Sequence, residues 1–109
     1  MAIELPAPIA AYFEADRKGD PQLLSHCFTP NAKVIDEGNI YEGRQEIAQW
    51  IAGASTQYTY TAEPFAMFEQ DGRVVVTSHL VGNFPGSPVD LRYLFDLAGD
   101  EIATLEIVP

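Results

Sequence analysis

The chain has 109 residues, with 16 acidic against 6 basic side chains and a formal net charge of -10. This excludes two classes of partner: no basic stripe exists to neutralise phosphates, so no nucleic acid is expected, and nothing would hold an anionic membrane surface. At this length a single domain spanning residues 1–109 is expected, and 47% hydrophobic residues can furnish its core.

A lone cysteine, Cys27, rules out an intramolecular disulfide, and the only histidines, His26 and His79, stand far apart. No zinc-ligand spacing is present, so no metal is expected. Residues 1–8 carry neither a basic n-region nor a long apolar run. No signal peptide or membrane span is expected, and a soluble cytoplasmic protein is the default.

Residues 8–18 read as a helix, with Ile9, Tyr12, Phe13 and Asp16 on one side at spacings of three and four. Gly19 stops it, and Asp20 caps a second helix with Pro21 at its first position. Leu23, Leu24, Cys27 and Phe28 form that helix's expected buried side, with Ser25 and His26 outward. Pro30 and Asn31 turn the chain into a strand over 32–36. A turn follows, and Gly43 opens a third helix with Ile47, Trp50, Ile51 and Ala54 as its apolar stripe and Glu46 in its electropositive first turn.

The period then changes. Residues 57–62 alternate threonine or glutamine with Tyr58, Tyr60 and Ala62, and Pro64 predicts a bulge or a sheet edge. Asp71-Gly72 is a hairpin signal between 65–69 and a valine-rich strand over 73–84. Residues 85–88 turn, 89–97 return, and 101–108 form the last strand. Helices followed by a run of strands predict an α+β fold: three N-terminal helices packed on a strongly curved, mainly antiparallel sheet, with a cavity between them.

Val34 and Asp36 share one strand face because side chains alternate with period two. Two readings of Asp36 stand. Among Val34, Phe13 and Trp50 its carboxylate would be desolvated, its pKa raised, and its strength as a base increased. Alternatively it caps the turn at residues 37–39 and sits in water. In the long valine-rich strand, Val74, Val76, Ser78 and Leu80 read as the inner face. His79 then lies outside with Val75, Thr77 and Val81, an apolar face suited to a dimer interface; the reverse register would put His79 beside Asp36 as an acid–base pair. Asp16, near the end of the inward helical stripe, reads as a solvated helix end, with a second pocket acid as the alternative, and Cys27 reads as a small buried apolar residue. No G-x-S-x-G, phosphate loop or dinucleotide fingerprint occurs.

Three pieces together resemble the nuclear transport factor 2-like superfamily, in its SnoaL-like and ketosteroid isomerase branch. They are residues 12–20 with a helix ending in Gly19-Asp20, then Val34-Ile35-Asp36 followed by 41–47, and then 82–88 with Phe95 and the closing 102–107. The resemblance spans nearly the whole chain. It implies a cystatin-like conical barrel, an internal pocket for a small hydrophobic ligand, no cofactor, and a homodimer through the outer sheet face. Carried over residue by residue, it makes Asp36 the proton-shuttling base and Tyr12 the donor to the enolate oxygen. Phe13, Val34, Trp50, Leu91 and Tyr93 would contact substrate. Leu91 falls where ketosteroid isomerases carry a second, protonated acid, while Asp90 points to the other face. Relatives of the scytalone dehydratase kind would use His79 with Asp36, given the reverse register. The implied chemistry is proton transfer on a carbonyl compound: isomerisation, cyclisation or dehydration. A non-catalytic ligand-binding or protein-interaction domain of the same fold is the alternative.

Overall fold

The computed structural model describes residues 3–109, apart from the side chains of Ser55 and Thr56. Met1 and Ala2, where the N-terminal segment read above begins, lie outside the described residues. Helix α1 (Ala7–Lys18) buries Ile9, Tyr12, Phe13 and Ala15. It ends where Gly19 turns left-handed at φ 66°. The N–H groups of Gly19 and Asp20 then close the last carbonyls, those of Asp16 and Ala15.

Asp20 caps α2 (Pro21–Ser25), its carboxylate accepting from the Leu23 N–H at 3.1 Å. This helix is shorter than its expected apolar stripe requires, and the expectation is corrected at three residues. It stops at Ser25, so Phe28 is buried as the first residue of a strand instead. Leu23 is exposed, and Ser25 is buried. Burial costs Ser25 little because its hydroxyl donates to the Gln22 carbonyl one turn back at 2.9 Å.

Strand β1 (Phe28–Asp36) runs straight through Pro30 and Asn31, where a turn was expected, with an irregularity in its pairing between Phe28 and Lys33. The segment after Asp36 is more than a turn. Glu37 and Gly38, both at positive φ, close a hairpin onto β2 (Asn39–Glu42), pairing Asp36 with Asn39. Helix α3 (Gly43–Gln57) starts directly after it. Glu46 reaches back to accept the Glu42 N–H at 2.9 Å, satisfying a donor at the helix entrance.

The meander consists of β3 (Tyr60–Gln70), β4 (Arg73–Gly82), β5 (Val89–Ala98) and β6 (Glu101–Val108). The six strands lie in the order β2-β1-β6-β5-β4-β3, antiparallel throughout except where β1 and β6 run parallel. β3 is an edge strand and its pairing slips between Pro64 and Ala66, since proline has no N–H to give the ladder. The expected helices on a mainly antiparallel sheet are present, and among the described residues β2 and β3 are the sheet's edges, so the cone stays open.

All three helices lie on one side, α1 against β3 and β6, α3 against β1 and β2, and α2 wedged between the other two. The seam is filled by Tyr12, Leu24, Phe28, Ile47, Phe95, Ile102 and Leu105, all essentially sealed from solvent. Each large side chain there contributes about 1.5–3 kcal/mol relative to exposure. Arg44 pins the start of α3 across this seam. Its guanidinium donates to the Phe28 carbonyl at 2.9 Å and to Glu101 at 2.8 Å.

Candidate functional site

The core does not fill the whole space between helices and sheet. A cavity of about 930 Å³ remains, walled by α1, β2, α3 and the ends of β1 and β3 to β6. Its rim reaches solvent at Glu37, Asn39, Ile40, Gln49, Gly53 and Pro85, all exposed.

Asp36 enters this space because it ends β1 on the inward face, beyond buried Val34. Its Oδ2 accepts a hydrogen bond from the Trp50 indole N–H at 3.0 Å. Burial raises its pKa; the Trp50 bond lowers it in part, and neighbouring Glu37 pushes it up again. The carboxylate is thus held in place by a neutral donor and left a better base than one in water.

Tyr12 comes from the middle of α1 and is 2% exposed. Its ring packs edge-on against Phe13, Phe28, Tyr93 and Phe95 at 5.1–6.2 Å, the geometry favoured by aromatic quadrupoles. Its hydroxyl lines the cavity without a hydrogen-bond partner among the described residues. Burial first, then the nearby Tyr93, Asp16, Tyr60 and Asp36, drives its pKa well upward, so the hydroxyl stays a neutral donor. Tyr93, from β5, is 4% exposed, also lines the cavity, and is pushed up by burial and by Asp16 and Asp36. Its hydroxyl likewise has no hydrogen-bond partner among the described residues.

Of the two readings of Asp16, the solvated helix end gives way to the pocket position: it stands on the cavity wall, where the Tyr60 hydroxyl donates to its Oδ1 at 2.8 Å. Burial raises its pKa and the Tyr60 bond opposes this. The signal was present in the helical stripe Ile9-Tyr12-Phe13-Asp16; its partner was missed because Tyr60 lies 44 positions away. Tyr41, Tyr58 and Phe84 are further wall residues not singled out from the sequence.

Of the residues expected at the site, Asp36, Tyr12, Trp50, Leu91 and Tyr93 meet at the cavity. Phe13 and Val34 do not; they are core behind its wall, Val34 one inward step deeper along β1 and Phe13 against Tyr93 at 5.1 Å. His79 is on the outer face, paired across the ladder with Asp90 at 2.7 Å, and does not reach the cavity. The inner face of β4 carries Val76, Ser78 and Leu80, which sets the register against a His79–Asp36 pair. Among the described residues no group of three or more His, Cys, Asp or Glu could hold a metal ion, and no helix is long and apolar enough to cross a membrane.

An open α+β sheet with a helix-walled aromatic cavity defines a small α+β pocket protein. Residues 9–104 match the SnoaL-like domain, and the chain belongs to that family. A candidate polyketide cyclase from Sinorhizobium meliloti is 38% identical over 95% of both chains, with a TM-score of 0.90. A ketosteroid isomerase-like protein from Catenulispora acidiphila, solved with trimethylamine, is 18% identical, with a TM-score of 0.85 over 97% of this chain and 87% of that one. A cystatin-fold protein from Novosphingobium aromaticivorans is 17% identical, with a TM-score of 0.77 over 94% and 95% of the two chains. These last two share the fold. No curated protein matches the chain.

Proposed function

We propose that the chain binds a small hydrophobic carbonyl compound in this cavity and catalyses cofactor-free proton transfer on it. The observation that carries this reading is that a desolvated, Trp50-held carboxylate at Asp36 and the Tyr12 hydroxyl, unpartnered among the described residues, line one cavity.

Oδ1 of Asp36, the oxygen not bonded to Trp50, takes the proton α to the carbonyl. The C–H electron pair moves into the enolate, whose oxygen accepts a hydrogen bond from Tyr12. Leu91 offers no second donor where ketosteroid isomerases carry an acid. Tyr93 lies two residues further on the same face, and its free hydroxyl takes that part in our reading. Protonated Asp36 then returns the proton to a different carbon for isomerisation, or to a leaving oxygen for dehydration. In a cyclisation the enolate carbon attacks a second carbonyl, whose π electrons move onto its oxygen, and that alkoxide takes the proton from Asp36.

The test is α-proton exchange. The protein is incubated in D₂O with small enones and aromatic polyketide fragments, and loss of the α-proton signal is followed by NMR. Wild type accelerates exchange of at least one compound, and Asp36→Asn lowers that rate by about 10²–10⁴ while keeping the fold. Full activity in Asp36→Asn sinks the assignment. Leu91 favours a second reading, a binding domain without catalysis, which predicts saturable binding and no exchange in wild type.

The homodimer belongs to the same proposal. Phe68 and Val81 are each 47% exposed on the outer face, while Val75 on that face is already buried; the Arg73–Glu106 and His79–Asp90 pairs stand nearby. Light scattering gives twice the monomer mass if this face is covered by a second copy.

A further inference from the structure

We propose that the cavity selects ligands in which an apolar, ring-sized body carries an ammonium nitrogen, and rejects anions. This rests on the ligand-binding reading above and names the charge class of the ligand.

The wall is one-sided in charge. Asp16, Asp36, Glu37 and Glu46 line the cavity, and among the described residues no lysine, arginine or histidine does. The basic side chains are engaged or pointed elsewhere. Arg17 and Lys18 pair with Glu14. Arg44 pairs with Glu101 and Arg73 with Glu106. Arg92 donates to the Pro109 carbonyl at 3.0 Å, and Lys33 is exposed on β1. His26 bonds the Gln22 carbonyl and His79 meets Asp90.

The two inner carboxylates therefore lack a cation. Asp36 is held by an indole N–H and Asp16 by a phenol O–H, both neutral. A partly buried charge without a counter-charge is costly, and burial raises the pKa of both groups. A cation in the cavity would remove that cost, whereas an anion would add to it. Low-dielectric walls with one sign of charge also concentrate ligands of the opposite sign.

Two further features point to an organic cation rather than a bare metal ion. Ring pairs stand around the space: Tyr41 with Trp50 at 6.0 Å, Tyr58 with Phe84 at 6.4 Å and Tyr12 with Tyr93 at 6.2 Å. Such faces attract weakly hydrated ammonium groups. Tyr12 and Tyr93, 2% and 4% exposed as residues, line the same space, and their hydroxyls have no hydrogen-bond partner among the described residues. Their lone pairs can face an ammonium group while they donate to a neutral oxygen of the ligand. The charge count also suits the proposed chemistry: an ammonium ligand balances Asp36 before proton transfer and the enolate after it.

The test uses three soluble probes of similar size: phenethyltrimethylammonium, 2-phenylethanol and 3-phenylpropanoate. Each is titrated at low salt into ¹⁵N-labelled wild type and into the Asp16→Asn/Asp36→Asn double variant, with calorimetry in parallel. In wild type the ammonium compound binds at least about tenfold more tightly than the alcohol, the carboxylate is silent, and shifts cluster at Tyr12, Trp50 and Tyr93. In the folded double variant the preference collapses to within about threefold. A wild type that binds the alcohol as tightly as the ammonium compound, or prefers the carboxylate, overturns the charge selection and leaves the ligand reading standing. A preference that survives the double substitution overturns it as well. Silence from all three probes at millimolar concentration overturns this inference together with ligand binding. Should the double variant not fold, the order of the three affinities in wild type decides.

Discussion

Strand β5 carries two environments within four residues. Asp90 faces out and meets His79 at 2.7 Å, with both side chains about half exposed (55% and 50%). Leu91 and Tyr93 face in, onto a cavity whose carboxylates are Asp16 and Asp36. Outside, an acid finds a basic neighbour and water screens the pair, so the contact decides little. Inside, each acid has a neutral donor for company and burial shifts its proton affinity upward. The same functional group is decoration on one face and a reagent on the other, and the pleat of the strand makes the difference.

The largest expected effect of breaking the inner face is chemical. Tyr12→Phe removes a hydroxyl that has no partner to orphan, so the fold and melting temperature hold. Proton exchange falls by about 10²–10³, as when one oxyanion donor is lost. An unchanged rate would remove Tyr12 from the mechanism.

Next comes the rim where β3 and β4 begin and end. Thr59 N–H donates to the Asn83 side chain at 2.8 Å, and Asn83 N–H donates to the Thr59 carbonyl at 3.1 Å. This clasp brings Gly82 so close that an added Cβ would stand 2.3 Å from the Thr59 oxygen. Gly82→Ala is expected to cost about 1–3 kcal/mol in a denaturant melt, because the obstacle is backbone and cannot rotate away.

The proton affinity of Asp36 offers two finer tests. Trp50→Phe deletes the bond that lowers its pKa, so the midpoint of the pH–rate profile moves upward; a midpoint that stays or falls contradicts the hydrogen bond's role. For stability, the folded state holds the Asp36 proton more tightly than the unfolded chain. Its contribution therefore falls as pH rises through the interval that begins at about pH 4. Asp36→Asn escapes that loss: it melts at or above the wild-type temperature near pH 7, and the gap closes as pH drops below about 4. The smallest effect belongs to the outer face, where His79→Ala changes monomer stability by no more than about 0.5 kcal/mol and leaves exchange untouched.

Local patterns were legible in the chain itself. Asp20-Pro21 announces a capped helix because one carboxylate and one fixed φ suffice for it. Asp71-Gly72 makes its hairpin because both residues adopt positive φ, and Pro64 marks an edge because it lacks a donor. The three helices and the four-strand meander follow from such short-range rules. Short-range rules also failed where tertiary contacts decide. β2 is four residues with three of them exposed, so it has no apolar alternation and exists by pairing with β1. The five-residue α2 ends before its apolar pattern does, because Phe28 gains more as a strand residue in the core.

For the site, period two put Asp36 on an inward face and period 3.6 put Tyr12 and Asp16 on one stripe; these are properties of single elements. Which of those faces meets empty space was decided only by assembly. Phe13 and Val34 share their stripes with cavity residues yet lie behind the wall, packed into the core cluster. The Asp16–Tyr60 and Asp36–Trp50 bonds join residues 44 and 14 positions apart. The one-sided charge of the cavity is likewise no property of the sequence: six basic residues were available, and packing directed each of them away. Sequence alone determined local geometry and an acidic balance, because those depend on neighbours a few residues away. Tertiary structure decided which acids lose their water and which rings surround them, because burial belongs to the packed whole.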